Sequence, residues 1–234
     1  MLLTNSNRFF PSLQNYEPNF SCNFERRVGG TGNGDGPKWV CDPHRIVTLA
    51  QQRKAKNPNA PGCVVYSIGS NGDFQFELAV QNVVGKGTCD IHIFDMGDYG
   101  GEMPSELDAT YHKWGLKKQE DKDNGKATVV NGEIFRGLKD VIKELGHEKL
   151  ETIDIFKIDC EGCEWRTYTD WMGPDIPNLQ QILVETHQAP EKHALAFFDT
   201  LKDAGYATFH KEPNLLWTSN MEYAFLKLDK KFFE

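Results

Sequence analysis

The sequence predicts an α/β fold: a doubly wound, mostly parallel sheet with helices on both faces and an antiparallel strand at its C-terminal end. Two observations predict it. From Cys63 onward, short apolar runs alternate with stretches of helical periodicity, the pattern of parallel strands joined by crossover helices. The last two apolar runs, at residues 206–210 and 222–228, have only residues 211–221 between them, with no helical pattern, so they pair antiparallel.

The elements follow in order. CVVYSI at residues 63–68 is a short apolar run ending at Gly69, the signal of a buried strand. Phe76, Ala79, Val80 and Val83 share one face of a helix over 73–84. A second strand covers 90–95. Residues 97–126 are polar and irregular, with a short strand at 127–130. Ile134, Leu138, Val141, Ile142 and Leu145 predict an amphipathic helix over 133–145, with Gly146 as its C-cap. Strands follow at 153–158, ending in Asp159, and at 181–185; a turn and short helix through Trp171 lie between them. A helix over 190–204, closed by Gly205, precedes the two final strands.

Residues 1–61 differ from the rest and are taken as a cap or lid, with the catalytic domain at 62–234. Their Gly-rich segment, GGTGNGDGPKWVCDP at 29–43, suits neither helix nor regular strand. Its Trp39-Val40-Cys41 core favours packing, and Ile46, Leu49 and Ala50 predict a short helix after it.

At 234 residues the chain is long enough for one sizeable core. A net charge of −8 argues against a phosphate-backbone partner, so no nucleic acid is expected. No run approaches the ~20 apolar residues that span a bilayer. The start, MLLTNSNRFFPSL, lacks the pattern of a signal peptide, which leaves a cytoplasmic protein or a truncated secretory one. Six cysteines stand at 22, 41, 63, 89, 160 and 163 in a chain too large to need disulfide staples. Cys22 and Cys41 pair if the protein is secreted. Cys160 and Cys163 lack the further ligands of a zinc site and are expected as small buried residues. The mixed charge run at 117–126 is expected as a solvated loop, and Trp165 and Trp217 as core.

In open α/β sheets, ligands bind beyond the carboxyl ends of the strands. After the first strand comes Gly69-Ser70-Asn71-Gly72-Asp73, which is not G-x-G-x-x-G and sets an acid where a pyrophosphate would sit. Asp95 ends the second strand, 26 positions beyond Gly69, where an acid binds ribose hydroxyls.

These residues carry a resemblance. VYSIGSNGDFQFE (65–77), HIFDMGD (92–98), YHKWGL (111–116), IDIFKIDCEGCEW (153–165), ILVETH (182–187) and FHKEPN (209–214) resemble the FkbM-like group of S-adenosylmethionine-dependent methyltransferases. The N-terminal RVGGTGNGDGPKWVCDP resembles its eukaryotic branch. The resemblance implies a Rossmann-like methyltransferase sheet, with which the antiparallel finish agrees. It implies S-adenosylmethionine as cofactor, Gly69, Ser70, Asn71 and Gly72 along its methionine part, Asp95 on the ribose, and Met96 beside the adenine.

Methyl transfer to a hydroxyl needs alignment and a base. The strand ends meeting over the cofactor carry Asp159, Glu161, Glu185 and His187. His187 is the general-base candidate, with an ordinary pKa near 6.5, oriented by Glu185 on the same strand face. Asp159 faces the sulfonium or the methionine amine, and Glu161 the acceptor. Lys38, Trp39 and Trp165 are the expected substrate contacts, against a small-molecule or glycan acceptor. A divalent metal on Asp159, Glu185 and His187 is the secondary expectation, and no metal ligand is assigned. A nicotinamide-dependent oxidoreductase and a non-catalytic binding module are the alternative functions.

Overall fold

The computed structural model describes residues 16–30, 35–120, 126–188, 191–217 and 219–232. The N-terminal fifteen residues, part of the Gly-rich segment, part of the 117–126 charge run and Pro190 lie outside the described residues.

Two short strands, β1 (Glu25–Val28) and β2 (Lys38–Cys41), pair antiparallel as a hairpin ahead of helix α1 (Pro43–Lys56). Then come β3 (Cys63–Ile68), α2 (Gln75–Val84), β4 (Cys89–Phe94), β5 (Thr110–His112), β6 (Gly115–Leu116), β7 (Thr128–Val130) and β8 (Glu133–Arg136). The chain finishes with α3 (Leu138–Glu144), β9 (Thr152–Ile158), α4 (Glu164–Thr167), β10 (Asn178–Thr186), α5 (Glu191–Asp203), β11 (Tyr206–Pro213) and β12 (Met221–Lys227).

Seven strands make the main sheet in the order β11-β12-β10-β9-β3-β4-β5. The pairs β10–β9, β9–β3, β3–β4 and β4–β5 are parallel. Only β12 runs against its neighbours, antiparallel to both β10 and β11. This is the doubly wound, Rossmann-like sheet with an antiparallel strand that the sequence predicts. β3 and β9 are buried along almost their whole length because both of their faces are covered. One core sets Leu138, Val141 and Ile142 of α3 and Phe197 and Leu201 of α5 against Tyr66, Phe156 and Ile182. The other sets Ile46 and Ala50 of α1 and Phe76, Val80 and Val84 of α2 against Val65, Ile91 and Ile155.

The N-terminal hairpin is tied to this sheet. Gln181 of β10 accepts the Cys41 amide at 2.8 Å and donates to the Cys41 carbonyl at 2.7 Å, so its side chain acts as a peptide group for β2. Val28, Val40 and Cys41 join the second core.

Four expectations are corrected. The 97–126 stretch contains β5, the edge strand of the main sheet, whose three residues are too few to show periodicity. The helix expected over 133–145 begins only at Leu138: Asn131 and Gly132, both at positive φ (52° and 89°), turn β7 into β8. Asn-Gly is the residue pair that a tight hairpin turn demands. Trp217 is 63% exposed rather than core. All six cysteines are paired, as Cys22–Cys41, Cys63–Cys89 and Cys160–Cys163. The second bridge joins the starts of adjacent strands at Cα partners, and the third closes a single turn; chain size does not remove the gain from such links.

Candidate active site

The carboxyl ends of β3, β4, β9 and β10 form one edge of the sheet. At β3, Gly69 adopts φ +78°, and a Cβ there would stand 1.6 Å from the Asp159 carbonyl oxygen. Only glycine lets the loop pass so close to the end of β9. The Gly69 carbonyl accepts the buried Lys157 ammonium at 2.5 Å. Asp95 organises the same loop: its Oδ2 accepts the amides of Ser70 and Asn71, each at 2.8 Å, and its Oδ1 accepts that of Gly97 at 2.8 Å. A carboxylate oxygen has two lone pairs, so Oδ1 retains capacity for a hydroxyl. Gly72, at φ +78°, leaves a surface beside the Tyr99 ring that a Cβ would narrow to 3.1 Å. Met96 is exposed next to Asp95. A close-approach glycine loop, an acid at the end of the next strand and an exposed apolar side chain fit a nucleoside cofactor with an extended aliphatic arm.

At β9, β10 and β12 lies a dense group of acids. Asp159, Glu185 and His187 offer ligand-type atoms within 4.8 Å of one another, as do Asp35, Asp159, Glu185 and Glu222. Lys38, only 2% exposed, reaches in from β2 and donates to Glu222 Oε1 at 2.7 Å and Asp159 Oδ2 at 3.2 Å. Glu185 is gripped on one oxygen: Oε1 accepts Asn214 Nδ2 at 2.7 Å and Asn220 Nδ2 at 3.1 Å. His187 is set by Glu164, whose Oε1 accepts its backbone amide at 2.9 Å and lies 3.0 Å from its Nδ1. Its Nε2 points to Asp159 Oδ1 at 4.0 Å, Glu161 Oε2 at 3.4 Å and Glu185 Oε2 at 3.8 Å. Glu161 stands at φ +54° in the Cys160–Cys163 turn with its side chain largely in solvent.

The electrostatics follow from burial and crowding. Burial works against the Lys38 ammonium, but Glu222 and Asp159 outweigh it and hold Lys38 well above the usual lysine range. Burial and the Asp159 charge push Glu185 up to about 8. Asp159 goes the other way: despite burial, Lys38 and Lys157 hold it well below the usual carboxylate range. Burial also raises Glu222 to about 7, against the pull of Lys38. Burial alone would depress His187, yet the hydrogen bond to Glu164 and the surrounding carboxylates push it up to about 9. The carboxylates around His187 thus set it apart from an ordinary imidazole.

The structure brings Asp159, Glu161, Glu185 and His187 together, with Lys38 among them. Lys38 faces the acids as a buried counter-charge. Trp165 donates its indole N–H to the His187 carbonyl at 3.1 Å, and so backs the centre. Trp39 stacks on His210, with ring centroids 4.0 Å apart, and donates to Glu212. Sequence reasoning missed Glu222 and Asn220, which carry no local motif, Asp35 within the Gly-rich segment, and the orienting roles of Asn214 and Glu164. The last two lie in FHKEPN and CEGCEW, stretches already singled out.

An open sheet with this order and a single antiparallel strand is that of a Rossmann-like methyltransferase. The chain belongs to the family whose model is described as "Methyltransferase domain" (Methyltransf_22), which matches residues 2–227, and its methyl donor is S-adenosylmethionine. No curated protein sequence matches it significantly. Among solved structures it is similar to the methyltransferase FkbM from Methylobacillus flagellatus KT, at 12% identity and TM-score 0.43 over 69% of this chain and 43% of that one. The chain thus spans under half the length of that relative. It is also similar to the O-methyltransferase from Bacillus cereus in complex with SAH (10% identity, TM-score 0.45, 80% and 83% covered). A ribosomal protein methylase from Lactobacillus delbrueckii subsp. bulgaricus gives 11% identity and TM-score 0.38, with 80% of each chain covered. Among the described residues, no helix is long and apolar enough to cross a membrane.

Proposed function

We propose that the chain transfers the methyl group of S-adenosylmethionine to a hydroxyl of a small-molecule or glycan acceptor. The observation that carries this reading is the convergence of Asp159, Glu185 and His187 at the ends of β9 and β10, beside the glycine loop. A nitrogen acceptor needs only to be neutral, whereas a hydroxyl must lose a proton as it attacks. A dense set of titratable groups held by Glu164, Asn214 and Asn220 suits the hydroxyl. In this reading Gly69, Ser70, Asn71 and Gly72 line the methionine arm, Asp95 Oδ1 takes a ribose hydroxyl and Met96 covers the adenine. Asp159 stands against the positive end of the cofactor. S-adenosylmethionine supplies an electrophilic methyl; the protein aligns the acceptor oxygen behind it and receives the proton.

Three disulfides among the described residues support an oxidising compartment, since such bridges rarely persist in a reducing cytosol. A glycan or secreted small molecule suits that location. Residues 1–61 act in this reading as a cap whose β2 supplies Lys38.

The test is a screen of acceptor classes with isotopically labelled methyl donor, read by mass. A labelled ether is expected. His187→Ala is expected to slow transfer ~10²–10⁴-fold, the range for lost proton handling, with S-adenosylmethionine affinity kept. Label on nitrogen, or a mutant at the wild-type rate, overturns the reading.

A further inference from the structure

We propose that His187 Nε2, Asp159 Oδ1 and Glu185 Oε2 form a site for one divalent cation. The chemistry it would serve rests on the hydroxyl-acceptor reading; the geometry does not. Both buried carboxylates have one oxygen occupied and the other aimed at a common point. Asp159 gives Oδ2 to Lys38 and turns Oδ1 toward His187. Glu185 gives Oε1 to Asn214 and Asn220 and turns Oε2 toward the same imidazole.

The independent pointer is the imidazole itself. His187 is 8% exposed, and its Nε2 has no hydrogen-bond partner among the described residues. Its three acidic neighbours stand 3.4–4.0 Å away. Adjacent donors on an octahedral ion with ~2.1 Å bonds lie ~3.0 Å apart, and ~3.4 Å apart for ~2.4 Å bonds. The spacing here is that of a ligand set a few tenths of an ångström wider than its ion. The other ring nitrogen completes the pattern. Nδ1 meets the fully buried Glu164, the carboxylate–histidine–metal relay that fixes the tautomer of metal-bound imidazoles.

Charge points the same way. Asp35, Asp159, Glu161, Glu164, Glu185 and Glu222 face two ammoniums, Lys38 and Lys157, and one imidazole. Lys38 serves the Glu222 side of the cluster and leaves the His187 side to be balanced. One imidazole among oxygen donors suits an ion such as Mn²⁺. Such an ion would hold an acceptor oxygen and lower its pKa.

The test is a titration of chelator-treated full-length protein with MnCl₂, with free Mn²⁺ read by electron paramagnetic resonance. S-adenosylmethionine affinity is measured by calorimetry on the same samples as the control for folding. One Mn²⁺ per chain is expected. His187→Ala should weaken binding at least tenfold. Glu164→Gln, which keeps the shape but removes the charge behind the imidazole, should weaken it ~10–100-fold. Asp90→Asn, in a different cluster of ligand-type residues, should leave it unchanged. A wild-type protein that binds the methyl donor but no stoichiometric Mn²⁺ overturns the site, as does equal binding by His187→Ala. If Mn²⁺ binds in the expected pattern and the methyl group lands on nitrogen, the ion site stands and the hydroxyl reading falls.

Discussion

Two polar clusters sit at opposite ends of the same parallel strands. At the amino-terminal edge, Asp90 of β4 lies 3.2 Å from His92 Nε2 and 3.5 Å from His147 Nε2. Tyr66 bonds His147 Nδ1 at 2.8 Å, and His92 Nδ1 meets His112 Nε2 at 2.9 Å. Here several imidazoles surround one carboxylate, which they hold well below the usual range through hydrogen bonds from His147 and His92. At the carboxyl edge the ratio is inverted, with carboxylates crowding one imidazole and the ammoniums of Lys38 and Lys157. The first cluster also buries a nitrogen without a hydrogen bond, His92 Nε2, but that atom lies 3.2 Å from the one carboxylate the imidazoles surround. The second leaves polar atoms aimed at a shared point. Ligand-type residues occur at both edges; what separates a binding centre from a packed network is whether the charges balance without a guest.

The largest effect should come from unbalancing the carboxyl edge further. Lys38→Met removes the cation between Glu222 and Asp159, and breaking a buried pair in this way costs ~3–5 kcal/mol. Urea unfolding should show the loss, and adding Glu222→Gln should restore much of it. An unchanged midpoint in Lys38→Met would mean that the acids are balanced some other way.

Next in size is the bridge at the histidine edge. Cys63→Ser with Cys89→Ser opens a loop of sequence separation 26, worth about 3 kcal/mol by chain entropy. Thermal unfolding should drop while methyl transfer stays at the wild-type rate. Cys160→Ser with Cys163→Ser should do the reverse, with a small stability change and weaker transfer, because that bridge closes the turn bearing Glu161. If both pairs behave alike, the two edges are not functionally distinct.

Tyr66→Phe should cost ~1–3 kcal/mol, since it leaves His147 Nδ1 buried without its partner, and should spare methyl-donor affinity. A calorimetric loss of that affinity would couple the two clusters.

The smallest effect concerns pH. Burial, helped by the neighbouring His92, pushes His112 down to about 4, from 6.5 in the unfolded chain. Between these values the unfolded chain binds a proton that the folded chain does not, so stability falls as pH drops from 6.5 toward 4. His112→Phe, which keeps a ring stacked between Phe94 and Trp114, should lessen the fall seen by denaturant titration at pH 7 and pH 4.5. Equal falls in both proteins would remove His112 as its source.

The buried strands were legible because both of their faces are covered: CVVYSI is a near-continuous apolar run ending in glycine, and IDIFKI keeps four apolar residues of six before its aspartate. The helix expected at 133–145 failed where Ile134, in the strand that follows the Asn131-Gly132 turn, happened to extend the periodicity of α3 backwards. At the site, Asp159, Glu185 and His187 were visible because strand ends locate ligands in this topology. Glu222 and Asn220 were not. They come from the antiparallel strand, whose chain direction sets its start, not its end, beside the site. Lys38 was singled out as a substrate contact, yet its role as counter-ion depends on acids more than a hundred residues away. Cysteine pairing was likewise invisible, since register places Cys63 opposite Cys89.

Lys38 and Glu222 are 184 positions apart. During synthesis the lysine emerges early, and its partner only when β12 does, almost at the end of the chain. Until then the ammonium remains in water, and loop closure over that length has yet to be met. The glycine loop, Asp95 and the parallel strands through β10 precede β12, so the half that grips the methyl donor is available before the half that handles the acceptor. A chain interrupted short of β12 would hold donor-binding parts without a balanced acid centre. In the proposed reading the antiparallel strand is thus what brings the acid centre into charge balance.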